Sequence, residues 1–114
     1  MAYDAEKRAA LRMLGALEDA TLSTEDTRPL YEAADPALVY LLCAWLRSRY
    51  GRGHSAAEGV LGRMVALLEA SPAVAQAMKV GEQDPIARWF EETYEYRELD
   101  RDAFVDLVVD KLEG

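Results

Sequence analysis

Residues 36–50 read PALVYLLCAWLRSRY, and the apolar run at their start decides the fold. From Leu38 to Leu46 the side chains are apolar on every side of a helix, so no polar face is left for solvent. A helix of this kind has to be surrounded by protein. We therefore expect residues 36–50 to form the central helix of an all-α domain; the alternative is that a dimer interface covers part of this helix.

The composition of the whole chain also favours helices over strands. The 114 residues include 19 Ala and 15 Leu, but only 13 β-branched Val, Ile and Thr residues. Ala and Leu have high helix propensity, whereas β-branched residues favour strands. The length is close to the commonest size of one domain, so residues 1–114 are expected to form a single all-α domain.

Capping residues followed by proline divide the chain into short helices. An Asp or Ser caps the helix, and the proline after it is tolerated at the first helical position. These junctions are Asp35-Pro36, Ser71-Pro72 and Asp84-Pro85. Junctions this short turn the chain sharply, so neighbouring helices are expected to cross at steep angles. The sequence therefore predicts a compact orthogonal bundle of about six to seven short helices around the helix at 36–50.

A weak internal similarity leaves a second architecture open. Residues 30–38 resemble residues 67–74, and the prolines of the two stretches lie 36 positions apart. This spacing is near the period of helical-hairpin repeats. A short helical-hairpin repeat is therefore the alternative to the bundle.

Three single residues set further expected helix boundaries. Asp4 is expected to cap the first helix. Proline is tolerated only in the first turn of a helix. Because of Pro29, the second helix is therefore expected over about residues 27–34. Gly81 is expected to end the fifth helix, as glycine often does.

The residues that most often carry catalytic or metal chemistry are scarce. Cys43 is the only cysteine and His54 the only histidine, so neither a disulfide within the chain nor a His/Cys zinc site can form. The glycine-containing turn at 51–53 lacks the lysine and spacing of a phosphate-binding loop. We expect no enzymatic activity, no cofactor and no metal.

Charge and hydropathy indicate the compartment. The first residues show no basic region followed by an apolar core, so no secretory signal is expected. The longest apolar run has 11 residues, whereas a transmembrane helix needs about 20. A net charge of −8 argues against direct binding to nucleic acid or to an anionic membrane. A cytoplasmic protein is expected, because one unpaired thiol fits a reducing compartment.

The negative charge is concentrated at the C-terminal end. Residues 1–50 have a net charge of −2 and residues 51–81 of +1, whereas residues 82–114 carry 4 basic and 11 acidic residues, a net charge of −7. In the last helix Asp102, Asp106 and Asp110 recur every four residues and so lie on one helix face. In the helix before it, Ile86, Trp89 and Phe90 are expected to face inward.

We interpret this charge as an acidic face that binds a protein partner. Tyrosine is enriched at binding hot spots. The predicted binding face therefore includes the two tyrosines that lie among these acids. The acidic face comprises Glu91, Glu95, Glu98, Asp102, Asp106 and Asp110, together with Tyr94 and Tyr96. The alternative is that these acids are simply the solvated surface of an acidic protein.

A smaller basic patch, formed by Arg47, Arg49 and Arg52, follows the central helix. Three interpretations stay open for it. Basic residues are favoured near a helix C-terminus by the helix dipole. The arginines could instead pair with the acidic helices of the same chain. In the third interpretation they meet the acidic face of a second copy, which would produce rings or filaments.

These features predict a small cytoplasmic interaction or regulatory domain that binds a basic protein partner through its acidic C-terminal face. One alternative is a self-assembling signalling adaptor, by analogy of architecture with death-fold domains. The other alternative is a stoichiometric inhibitor of a basic target, such as an immunity protein, an antitoxin or a nucleic-acid mimic.

Overall fold

Seven helices and no strands make up the part of the chain that the computed structural model describes, which is residues 2–19, 22–50, 57–93 and 99–113. The predicted all-α helical bundle is confirmed. The helices are α1 (Ala2–Glu18), α2 (Thr24–Ala33), α3 (Pro36–Tyr50), α4 (Ala57–Ala70), α5 (Pro72–Gln83), α6 (Pro85–Thr93) and α7 (Arg101–Glu113).

The three corners with a cap and a proline begin helices as predicted. At each corner a side-chain oxygen accepts a backbone N–H of the first helical turn, which satisfies a donor that the helix itself leaves unpaired. Asp35 Oδ1 accepts from Ala37 N at 2.8 Å, Ser71 Oγ from Val74 N at 3.3 Å, and Asp84 Oδ1 from Ile86 N at 2.9 Å. These corners fix where α3, α5 and α6 start.

The helix α3 lies at the centre of the bundle, as its apolar sequence predicts. Its residues 37–46 are all buried, and α1, α4, α5, α6 and α7 pack around it. Trp45 is fully buried and stacks on Phe104 of α7, with ring centroids 5.2 Å apart and planes inclined by 10°. The apolar core therefore forms around one helix instead of between two layers.

The first and last helices pack against each other and close the bundle. In a linear repeat each unit contacts only its neighbours, so α1 and α7 would lie at opposite ends. Their contact favours the bundle over the helical-hairpin repeat. The Cα radius of gyration of 12.9 Å matches the about 13 Å expected of a compact domain of about 100 residues.

The predicted start of α2 is wrong by one turn. Ser23, not a residue near Thr27, caps the helix, and its Oγ accepts the N–H of Asp26 at 3.1 Å. Pro29 therefore lies inside α2 instead of in its first turn. The helix tolerates the lost hydrogen bond because Ser23 stabilises its start and because Thr27 and Tyr31 are buried in the core.

The predicted roles of Asp4 and Gly81 are also wrong. The helix α1 begins at Ala2, so Asp4 lies within its first turn. The helix α5 continues past Gly81 to Gln83, and Gly81 is buried against Tyr40 of α3. The glycine is needed for the close approach of two helices and not for a helix end.

Candidate functional site

The structure describes the α7 part of the acidic face and little of the rest. Asp102, Asp106 and Asp110 all lie on α7. The predicted site residues Tyr94, Glu95, Tyr96 and Glu98 lie outside the described residues, as does the side chain of Glu91. The geometry of the acidic face therefore rests on the three aspartates of α7.

The three aspartates of α7 are not equivalent. Asp102 and Asp110 are exposed. Asp106 is half-exposed, and its Oδ1 lies 2.5 Å from Nζ of Lys7 on α1. Part of the charge of Asp106 is thus balanced inside the chain, where it joins α7 to α1. Among the described side chains of this helix face, Asp102 and Asp110 are the exposed acids.

Two of the four basic residues in the segment 82–114 are engaged with other side chains. Arg101 pairs with Glu18 and Asp19 at the end of α1. Lys111 Nζ lies 4.5 Å from the ring centroid of Trp89, within the distance of a cation–π interaction. The carboxylate of Asp102 is also among the causes that raise the pKa of Arg101, so Arg101 balances part of the charge of Asp102.

Trp89 was expected to face inward, and this prediction is wrong. Its exposed fraction is 42%, whereas Phe90 is fully buried and meets it edge-to-face with ring centroids 5.0 Å apart. Consecutive residues on a helix differ by about 100° in direction. Because Ala87 and Phe90 share the buried face, Trp89 is turned towards solvent. The sequence did not show this, because Ile86, Trp89 and Phe90 have the i, i+3, i+4 spacing of a single helix face.

Three arginines converge on the C-terminal end of α1. Arg63 of α4 donates from Nε to the carbonyl of Leu17 at 2.8 Å and from Nη2 to the carbonyl of Glu18 at 3.3 Å. Arg49 Nε and Arg101 Nη1 each lie 3.8 Å from a carboxylate oxygen of Glu18. Positive charge is favourable where helix carbonyls are unpaired. This arginine cluster ties α3, α4 and α7 to α1.

The basic patch is therefore partly used for folding. Arg49 pairs with Glu18 and lies with Cζ 5.1 Å from the ring centroid of Trp45. Arg49 thus pairs within the chain, but with α1 and not with the acidic helices α6 and α7 for which the pairing was predicted. Arg47 is exposed. Arg52 lies outside the described residues.

Tyr50 belongs to the same end of the bundle as the arginine cluster. Burial is the largest cause that raises the pKa of its hydroxyl, and a hydrogen bond with Glu18 adds to the effect. Arg49 acts in the opposite direction. The hydroxyl of Tyr50 therefore stays protonated to a higher pH than that of an ordinary tyrosine.

An apolar cleft, which the sequence did not predict, opens between α1, α2 and α7. Its volume is about 280 Å³. Among the described residues, the lining is apolar except for two carboxylates and includes no basic side chain. The lining residues are Ala5, Glu6, Ala9, Met13, Leu30, Ala33, Ala34, Asp35, Leu38, Val109 and Leu112. We refer to it as the α1–α7 cleft.

Cys43 lies on α3 beside a smaller cleft between α3, α4 and α5, with a volume of about 170 Å³. Burial is the largest cause that raises the pKa of its thiol, to about 12, because a thiolate is poorly solvated there; Arg47 opposes the shift. Only the thiolate is nucleophilic. The native thiol is thus unreactive at neutral pH.

We expect 5,5′-dithiobis(2-nitrobenzoic acid) at pH 8 to label Cys43 only after unfolding. The native state also holds the thiol proton more tightly than the unfolded state does, because the pKa of Cys43 is about 12 in the fold and near 9 in the unfolded chain. The free energy of unfolding is therefore expected to fall as the pH rises from about 9 towards 12. Absorbance at 412 nm measures the labelling of the thiol, and a Cys43→Ala control shows the background. Rapid labelling of the folded protein would contradict the burial of Cys43.

Comparison with protein-family models, with curated proteins and with solved structures found no match to the chain. Among the described residues, no helix is both long and apolar enough to cross a membrane. The same residues contain no group of three or more His, Cys, Asp or Glu side chains that could hold a metal ion.

Proposed function

We propose that the protein is a small regulatory interaction domain that binds a basic protein partner through exposed acids of α6 and α7. The observation that carries this proposal is the exposure of Asp102 and Asp110 on one face of α7. Eight residues on a helix span about 12 Å, so the two carboxylates can meet two separate cations of a partner.

The charge of the surrounding segment supports a basic partner. Residues 82–114 carry a net charge of −7, and Glu92 on α6 is exposed as well. Arg101 and Lys111, two of the four basic residues of this segment, have other partners in the fold. A surface with this excess of one sign speeds the encounter with a partner of opposite sign and selects against acidic partners.

Trp89 supports the same surface. Tryptophan is enriched among the residues that contribute most to protein–protein binding, and Trp89 is one of three large hydrophobic residues exposed in the described part of the chain. It lies on α6 and contacts Lys111 of α7. We propose Trp89 as an apolar anchor beside the acids.

Within this function we favour an inhibitor of a basic target over a self-assembling adaptor. Head-to-tail assembly needs a basic patch that is free to meet the acidic face of the next copy. Arg49, in the middle of that patch, is paired with Glu18 in its own chain. The single cysteine, which has no partner in the chain, supports action in the cytoplasm.

Neutralising the exposed acids tests this proposal. In an affinity isolation from the native host, we expect Asp102→Asn/Asp110→Asn to bind the partner roughly 3- to 30-fold more weakly, as for two surface ion pairs at an interface. Higher salt should weaken the unmodified protein similarly. The matched control is Glu58→Gln/Glu69→Gln, which removes two exposed charges from α4.

Two outcomes would count against the proposal. Equal recovery of the partner with both double variants would exclude the aspartates of α7 as the binding surface. Purified protein that forms oligomers with rising concentration, and dissociates with salt, would favour the self-assembling adaptor instead. Light scattering across concentration and salt measures the oligomeric state directly.

A further inference from the structure

The α1–α7 cleft has a defined floor and defined walls. Met13, Leu38 and Val109 form the floor, and all three are buried. Leu30 and Leu112 form walls and are only partly buried, so part of their apolar surface still faces the open cleft. An apolar group placed here would remove that surface from water, which is the main source of binding free energy for such sites.

Small side chains keep the α1–α7 cleft open. Ala5 and Ala9 lie one turn apart on α1, whereas Ala33 is the last residue of α2 and Ala34 follows it. Larger residues at these positions would fill the space between the helices. A larger side chain at one of these four positions is therefore expected to reduce the volume of the cleft.

The rim of the cleft defines the charge of its occupant. The charged residues in the described part of its lining, Glu6 and Asp35, are both acidic and exposed. The N–H of Ala37 donates to Asp35 Oδ1 at 2.8 Å, which fixes the direction of this carboxylate. An apolar body flanked by positive charge is complementary to such a site, whereas an apolar body with a negative charge is repelled.

The volume of the cleft indicates the size of the occupant. At about 280 Å³ it lies just below the range of roughly 300–1,000 Å³ that is usual for sites of drug-sized ligands and cofactors. This space suits one or two large apolar side chains. A segment of a protein partner supplies such side chains with basic neighbours on the same chain.

We propose that the α1–α7 cleft binds an apolar side chain of a basic peptide segment, whose flanking Lys or Arg residues meet Glu6 and Asp35. This inference rests on the proposed function in one respect, namely that the same basic partner supplies the segment. The cleft would be a second contact with the partner, on a different part of the surface from Asp102 and Asp110. The apolar side chain that enters the cleft would determine which basic segment is bound.

The test uses the full chain and three blocked peptides of equal length. The probe is acetyl-Lys-Lys-Leu-Phe-Lys-Lys-amide, and in the controls Glu replaces every Lys or Gly-Ser replaces Leu-Phe. We expect the probe to shift the methyl NMR signals of Met13, Leu30, Val109 and Leu112 in a saturable manner. The two control peptides are expected to leave these signals unchanged.

Variants of the lining show whether the cleft itself is responsible. Ala9→Leu fills the cleft and should weaken binding of the probe at least about tenfold, as for loss of an anchoring pocket. Glu6→Gln/Asp35→Asn should weaken it roughly 2- to 30-fold. Asn caps helices as well as Asp does, so α3 keeps its start. If Ala9→Leu lowers the thermal midpoint, Ala33→Leu replaces it.

The same probe separates this inference from the proposed function. Shifts confined to residues outside the cleft, equal shifts with the Glu peptide, or no effect of either filling variant would overturn the cleft proposal. The Asp102→Asn/Asp110→Asn variant should bind the probe within about a factor of two of the unmodified protein. Loss of partner binding in that variant, with normal probe binding, would support the acidic surface independently.

Discussion

Trp45→Ala is expected to destabilise the protein by about 3–5 kcal/mol, as is usual when a large buried aromatic side chain is truncated. Trp45 is fully buried in the middle of α3 and stacks on Phe104. Its removal leaves a cavity where α3 meets α7 and takes away the surface beneath Arg49. A typical domain has about 5–15 kcal/mol of stability in total, so this loss is a large fraction of the free energy of unfolding.

Trp45→Phe is the matched control for this prediction. Phenylalanine keeps an aromatic ring against Phe104, and it removes an indole N–H that is buried without a hydrogen-bond partner among the described residues. A buried donor without a partner costs about 1–3 kcal/mol. We therefore expect Trp45→Phe to lose clearly less stability than Trp45→Ala.

Urea unfolding of the three proteins measures both effects. We expect Trp45→Ala to have the lowest free energy of unfolding of the three. Trp45→Phe should lie between it and the unmodified protein, or close to the unmodified protein. An Ala variant within about 1 kcal/mol of the unmodified protein would contradict a central position for Trp45, because that is the typical effect of an ordinary substitution.

The central helix and its corners were predictable because their signals are local. An apolar run without a polar face has to be buried wherever it lies in the fold. Asp35 and Ser71 each satisfy backbone donors only two or three residues away, so their role does not depend on the rest of the chain. The start of α2 was misplaced because two local signals compete there, the cap at Ser23 and the restriction at Pro29.

The sites were less predictable because they depend on pairs of distant residues. Sequence alone does not show that Lys7 reaches Asp106 or that Arg49 reaches Glu18. The α1–α7 cleft likewise arises because Ala9 and Val109, 100 positions apart, face the same space. Every one of the seven helices contains at least one alanine, so the sequence did not indicate which alanines border a cleft.

Gly81→Ala is expected to destabilise the protein by about 1–3 kcal/mol or more, although alanine is the better helix former. A Cβ at residue 81 would overlap Cβ and Cγ of Tyr40, which lie close to the backbone of α3 and cannot move aside freely. The helices α3 and α5 would have to separate along their contact. Because this contact belongs to the central helix, the loss spreads beyond the two residues.

The same substitution at Gly62 is a control with the opposite expected sign. Gly62 is exposed on α4, and a Cβ there would meet no atom within 4 Å. Gly62→Ala should therefore stabilise the protein by up to about 1 kcal/mol, through helix propensity and a less flexible unfolded chain. Thermal or urea unfolding compares the two variants. If both variants stabilise the protein, then α5 does not approach α3 so closely that residue 81 has to be glycine. If Gly81→Ala destabilises the protein and Gly62→Ala stabilises it, then packing outweighs helix propensity at residue 81.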